Sequence, residues 1–149
     1  MAIARGAGTE IIRSAHFENI TNSDKILIFG EQHHIYTVLS IIVHAVAVAS
    51  TTSYFKVYLK GYDANGSDTQ ESMLIWQKEM VATDTFVWND KFSFNGHEPT
   101  DYTGSMDSIA DQNLIADQAS AVPQYLYGTG EAGADNWDVH VTYIDQNNA

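Results

Sequence analysis

The chain has 149 residues, 19 acidic against 7 basic side chains, a formal charge of −12, 44% hydrophobic residues and no cysteine. That length and apolar content describe one globular domain with a real core, and exclude a disulfide framework, a thiolate metal site and a cysteine nucleophile. The negative charge repels phosphate, so neither nucleic acid nor an anionic membrane is an expected partner.

In chain order, the opening MAIARGAGT has two glycines, no periodic pattern and no apolar run of the kind a secretory signal needs. Residues 1–9 are therefore expected to form a flexible arm that orders on a partner, with the folded domain running from 10 to 146. Strands are expected over Glu10–Asn19 and Lys25–Phe29, followed by the apolar stretch Ile35–Val48. The stretch is rich in valine and isoleucine and apolar at both parities, which suits a central strand covered on both faces. At that length it should bend or bulge partway, because strands rarely exceed about ten residues. It also falls short of the roughly 20 apolar residues of a membrane-spanning helix, so a soluble chain is expected.

Phe55, Val57 and Leu59 alternate with Lys56, Tyr58 and Lys60, the period of a half-buried strand. The Asp63–Asp68 segment, with its Asn65-Gly66 step, reads as a hairpin turn leading to a strand over Met73–Val81. Thr85–Trp88 and Lys91–Phe94 flank a turn at Asn89-Asp90, and Asn95-Gly96 closes the second run. Ser105–Ser120 breaks the β pattern with helix-forming residues and reads as an inserted loop with a short helix. Gln124–Tyr127 and the alternating Trp137–Tyr143 complete about eight strands with turn chemistry between them. The expected fold is all-β, an antiparallel β-sandwich of jelly-roll or immunoglobulin-like type with a short helical insertion.

Candidate sites are few. His33-His34 lies beside Glu31 and Gln32, but adjacent residues of a strand face opposite ways, so the pair cannot hold one ion and reads as a hydrogen-bonded loop-to-strand corner. Asp63-x-Asn65-x-Ser67 starts like a calcium loop, yet Asp68 replaces the required glycine and Leu74 the bidentate glutamate. His97 could serve acid–base chemistry and the pairs Asp135/Asp138 and Asp107/Asp111 could flank a sugar, but no hydrolase or phosphate-loop motif supports either, and these carboxylates read as solvated surface. No catalytic residue, metal or cofactor is assigned, and the chain is not expected to be an enzyme. Tyr54, Tyr58 and Tyr62 share the solvent-side phase of one strand with Lys56 and Lys60; they suit a protein interface, with sugar stacking as the alternative.

The strings MAIARGAGTEIIRSAHFENI, LIFGEQHHIYTVLSIIVHA, DTFVWNDKFSFNGHEP and NWDVHVTYIDQ resemble small virion structural proteins of tailed phages, most of all contractile-tailed phages of marine cyanobacteria. The resemblance runs from Met1 to about Gln146, with Ser105–Ser120 the least similar part. It implies a virion location and a capsid decoration or cement protein, bound to the major capsid protein or another virion subunit as a homo-oligomer, with a trimer favoured. A tail, neck or fibre-attachment part is the alternative, and a carbohydrate-binding module on the virion surface the second. The residues expected at such an interface are Ala2, Ile3, Arg5 and Thr9 of the arm, His33 and His34 at the corner, and Tyr54, Tyr58 and Tyr62.

Overall fold

The structure is a computed structural model that describes residues 6, 8–63, 69–99, 107–110, 113 and 121–148. In chain order the strands are β1 (Thr9–Ile20), β2 (Lys25–Phe29), β3 (His34–Ala47), β4 (Ser53–Asp63), β5 (Thr69–Met80), β6 (Thr85–Trp88), β7 (Phe92–Asn95), β8 (His97–Pro99), β9 (Ala121–Pro123), β10 (Tyr125–Gly130) and β11 (Asn136–Asn147). They form an antiparallel β-sandwich. One sheet runs β1-β11-β3-β6 with β7 also on β3, the other runs β2-β10-β4-β5, and β8-β9 make a small third ladder.

Alternation places the core. From β3 and β11, Tyr36, Val38, Ile41, Val43, Ala45, Trp137, Val139 and Val141 point inward to meet Phe55, Val57, Leu126, Leu27 and Ile28 of the other sheet. Phe55 and Trp137 bring their ring centroids within 5.4 Å across the interior. The expected break in the long apolar strand is a bulge. Thr142 pairs with Ser40 but Tyr143 with Val38, leaving Leu39 unpaired. Val38 and Ile41, three residues apart, can therefore both face the core. The far face of β3 is not covered, contrary to expectation: Ile35, Thr37, Ile42 and His44 are only half-buried.

Other expectations fare unevenly. β4 and β5 pair antiparallel from Ser53 and Met80 to Asp63 and Thr69, and the turn expected over Asp63–Asp68 lies, past Asp63, outside the described residues. β1 takes in Thr9, whose Cα lies opposite Asn147, so Thr9 belongs to the sheet and not to the arm. β8 and β9 are three residues each, too short to carry an alternating signature in the sequence. Of the predicted helical insertion, Ile109, Ala110 and Asn113 are helical, and the remainder of 105–120, apart from Asp107 and Ser108, lies outside the described residues. Among the described residues, no helix is long and apolar enough to cross a membrane.

Where β2, β7 and β9 end, three chain segments lie backbone against backbone. The Gly30 amide donates to the Gln124 carbonyl at 2.9 Å, the Gln124 amide to Gly96 at 2.8 Å, and the Gly96 amide to His34 at 2.8 Å. A methyl at Gly96 would overlap the main chain of Glu31, which cannot swing away as a side chain would. Gly96→Ala is expected to cost about 1–3 kcal/mol, read as a lower urea midpoint. Gly133→Ala, which would meet only the Asn22 side chain at ordinary contact distances from 3.6 Å, should shift that midpoint far less.

Candidate interaction surface

Because Phe55 and Val57 point into the core, Tyr54, Lys56, Tyr58 and Lys60 must point out of the four-stranded sheet. Leu126 is buried on β10, so Tyr125 and Tyr127 emerge on the same outer face. Register sets Tyr127 opposite Tyr58, and Tyr125 between Lys60 and Phe29. The Tyr58 and Tyr127 rings stack at 5.1 Å and 14°, and Phe29 stacks on Tyr125 at 6.0 Å. The Lys60 ammonium stands 5.7 Å from the Tyr125 ring centroid. Tyr127 donates to the Ser72 hydroxyl at 3.0 Å and is itself buried beneath its neighbours. The result is an aromatic layer with Phe29 at 55% exposure, Leu74 at 44% and Ile26 at 42% on its surface.

Tyr54 and Tyr58 thus stand on the sheet face where the sequence places them. Tyr62 lies in β4 by its backbone, and its side chain is outside the described residues. Tyr125, Tyr127 and Phe29 were missed as members of this face. The alternation Tyr125-Leu126-Tyr127 held the parity signal, but only the pairing of β10 between β2 and β4 reveals which tyrosines share a surface.

The His33-His34 corner is indeed a loop-to-strand boundary, but His34 is not available to a partner. His33 has a positive φ of 63°, and His34, the first residue of β3, is buried. The His34 Nδ1 lies 2.6 Å from Asp145 Oδ1, and Arg13 Nε donates to Asp145 Oδ2 at 2.8 Å. Glu31 Oε2 approaches His34 Nε2 at 3.4 Å, and the Glu31 amide donates to the Tyr36 hydroxyl. Burial pushes the Asp145 carboxyl up, but the bonds from His34 and Arg13 outweigh it and hold the group below the usual carboxylate range. Burial likewise pushes the Tyr36 hydroxyl up to about 12. Chemically this cluster is a lock tying β1, β3 and β11 together.

Asp135 also departs from expectation: it is buried at 1% exposure, not solvated. Its carboxylate accepts from Ser53 Oγ at 2.5 Å and from the amides of Ala49 and Ala132 at 2.7 and 3.0 Å. Burial raises its pKa, and these donors more than compensate, so it stays low. These bonds tie the β3–β4 and β10–β11 connections to the start of β4. Asp138 accepts weakly from the Asn19 amide at 3.4 Å. Asp107 is exposed, and Asp111 lies outside the described residues, as do Ala2, Ile3, Arg5 and the 64–68 part of the calcium-like loop. His97 stands in β8, where burial, then the charge of His33, lowers its pKa. Among the described residues, no three metal-ligating side chains are already gathered at one point.

No family model and no curated protein matches the chain. Among solved structures it is similar to the C-terminal family 22 carbohydrate-binding module of Clostridium thermocellum Xyn10B, at 12% identity and TM-score 0.47, over 96% of this chain and 84% of that one. It is similar to the Bacillus endospore appendages described as disulfide-linked pili, at 9% identity and TM-score 0.43, over 100% and 97% of the two chains. A third likeness is to the T13 particle of IBDV, at 6% identity and TM-score 0.42, over 99% of this chain. The chain spans 37% of that capsid chain, and 18% of the xylanase chain carrying the CBM22-1 and GH10 modules. Likenesses of this order concern the fold alone.

Proposed function

We propose that this chain is a non-enzymatic structural protein of a virus particle, a capsid decoration or cement protein that binds shell subunits through the outer face of its four-stranded sheet. The observation that carries this reading is the aromatic layer of Phe29, Tyr58, Tyr125 and Tyr127, bordered by exposed Ile26 and Leu74. Tyrosine and phenylalanine supply large contact area with few torsions to freeze, which is what protein interfaces favour. The resemblance to tailed-phage virion proteins, which runs from Met1 to about Gln146, supplies the choice of partner, the major capsid protein or a neighbouring virion subunit. Among the described residues, the long strands β1 and β5 lie at sheet edges with no further strand beside them, and such edges suit association of copies into an oligomer such as a trimer. Repeated attachment to a symmetric shell then turns weak single contacts into firm ones.

Quantitative mass spectrometry of purified particles tests the reading, with hundreds of copies per virion expected of a shell decoration protein. A count of tens or fewer sinks it in favour of a tail, neck or fibre-attachment part. Phe29→Ala is expected to weaken binding to isolated shells while leaving the fold intact, since that side chain is more than half exposed. A second reading, a carbohydrate-binding module on the virion surface, is favoured by Tyr58, which is half-buried on the outer face of the sheet with its ring packed on Tyr127. Glycan-array binding that vanishes in Tyr58→Ala would select it.

A further inference from the structure

Each of the two main sheets ends in one long edge and one short one. In the four-stranded sheet, β2 is five residues long and begins with Lys25, while β5 carries Lys78 and a register irregularity opposite Val57 and Tyr58. In the five-stranded sheet, the edge away from β1 is split between β6 and β7, four residues each. Short strands, lysines and bulges are features that keep an edge from pairing with another chain. Among the described residues, β1 has none of them over Thr9–Phe17: its pairing with β11 is continuous there, and it contains neither lysine nor proline. Its one arginine, Arg13, is drawn away from the free edge by Asp145 of β11. Because Ala15 and Phe17 pack inward, Ile12 stands on the outer side of the sheet, at 71% exposure. Alternate residues of an antiparallel strand turn amide and carbonyl to opposite sides, so half of these groups on β1 face β11 and the other half face the free edge.

We propose that β1 pairs with β1 of a second copy of this chain, antiparallel about a two-fold axis at Ile12, so that the two five-stranded sheets become one continuous sheet. The strand's own sequence selects that register. A two-fold normal to the sheet keeps each face on its own side, so only residues of like parity meet and the axis passes through a residue. An axis at Arg13 sets that arginine against its own copy, and an axis at Ser14 sets Glu10 against Glu18. Like charges directly opposite one another are destabilising. With the axis at Ile12, Thr9 meets Ala15, Glu10 meets Ser14, Ile11 meets Arg13 and Ile12 meets its own copy, so no like charges oppose. Axes nearer either end of Thr9–Phe17 give shorter ladders. Paired residues share the same hydrogen-bonding phase in this register, so each pair exchanges both backbone bonds or none, as an antiparallel ladder requires.

Side chains favour a second copy over a foreign strand. Ile12 lies opposite Ile144 of β11, so the pairing sets Ile144 and Ile12 of one copy in a row with Ile12 and Ile144 of the other. The net charge of −12 repels copies from one another, and at this edge the repulsion is relieved because Arg13 and Asp145 neutralise each other. Each copy contributes one β1 edge and consumes it, so the assembly closes as a dimer. The contact leaves the outer face of the four-stranded sheet free, and the shell contact proposed above can therefore stand or fail separately.

Sedimentation velocity of the full-length chain at micromolar concentration should give a particle of twice the chain's mass. The chain has no cysteine, so Ile12→Cys introduces a single thiol. With oxidised glutathione this variant should cross-link to a covalent dimer, because opposed Cα atoms of an antiparallel pair, about 4.5–5.5 Å apart, fall within the reach of a disulfide. Ser14→Cys should not cross-link, since its two copies are offset by four residues, roughly 14 Å at about 3.4 Å per residue. Ile12→Lys sets two ammonium groups against each other and removes the apolar contact, and should weaken the dimer by about tenfold or more. Val87→Lys, 54% exposed on β6, should leave it unchanged. All these positions face solvent in the single chain, so circular dichroism should show each variant folded. A monomer or a trimer in the parent chain, or a dimer as tight in Ile12→Lys, overturns the proposal. So does the absence of cross-linking in Ile12→Cys, the result expected if β1 pairs instead with β5 of the second copy.

Discussion

Trp137→Ala is expected to lower the stability of the fold by about 3–5 kcal/mol, the range for removing a fully buried large aromatic. Trp137 is wholly buried in β11, where its Cα neighbours are Ala45 on β3 and Ile20 on β1. Ala45 is a small residue beside a large one, and Gly130 across the core completes the space. A methyl on Gly130 would run into the indole ring and into the Thr21 carbonyl. The indole therefore fills a volume that its neighbours are too small to reclaim by relaxation, and the substitution leaves a cavity lined by Phe55 and the valines of β11. Against a total stability of about 5–15 kcal/mol, that loss removes from about a fifth to nearly all of it. Urea unfolding followed by circular dichroism should show a large fall in midpoint at unchanged slope. Val87→Ala, on the exposed face of β6 at 54% exposure, should change it by about 0.5 kcal/mol or less.

The contrast between Trp137 and Tyr127 shows what sequence carries and what it withholds. Alternation over Trp137–Tyr143 gives the strand, its inward parity and its core residues, because period two is a local property of the pleat. The same rule gives the inward Phe55 and Val57 and the outward Tyr54 and Tyr58. Which strands lie side by side is not local. β10 inserts between β2 and β4, far from both in sequence, and only this insertion stacks Tyr127 on Tyr58 and Tyr125 on Phe29. Asp135 and Asp145 were unreadable for a related reason. Each looks like one more carboxylate in a chain with 19 acidic residues, and each is buried because donors from distant elements converge on it. The Leu39 bulge stands between these cases: length demanded an irregularity, while its position follows from the β11 register.

Asp145→Ala is expected to cost about 3–5 kcal/mol, comparable to the tryptophan, because it strips a buried imidazole of its partner. The bonds from His34 and Arg13 to Asp145 are unequal. His34 is 10% exposed at the side chain, so water cannot replace the lost carboxylate, whereas Arg13 is 45% exposed and can rehydrate. A double-mutant cycle should therefore find a larger coupling for Asp145 with His34 than with Arg13, the latter about 1 kcal/mol or less. The same carboxylate also sets the acid limit of the fold. Its pKa lies lower in the folded chain than the unfolded value of about 3.9, so its contribution is fully present above that value and is lost as pH falls through the folded one. Asp135, shifted in the same direction, adds to the same limb. Unfolding free energy should thus fall steeply below about pH 4 in the parent chain. In Asp145→Asn the neutral amide can still accept from His34 but carries no proton linkage, so the curve should be lower at pH 7 and shallower in acid. A parallel slope in the two proteins would mean that Asp145 titrates alike in the folded and unfolded chains, and that the His34–Asp145–Arg13 lock does not favour the ionised carboxylate.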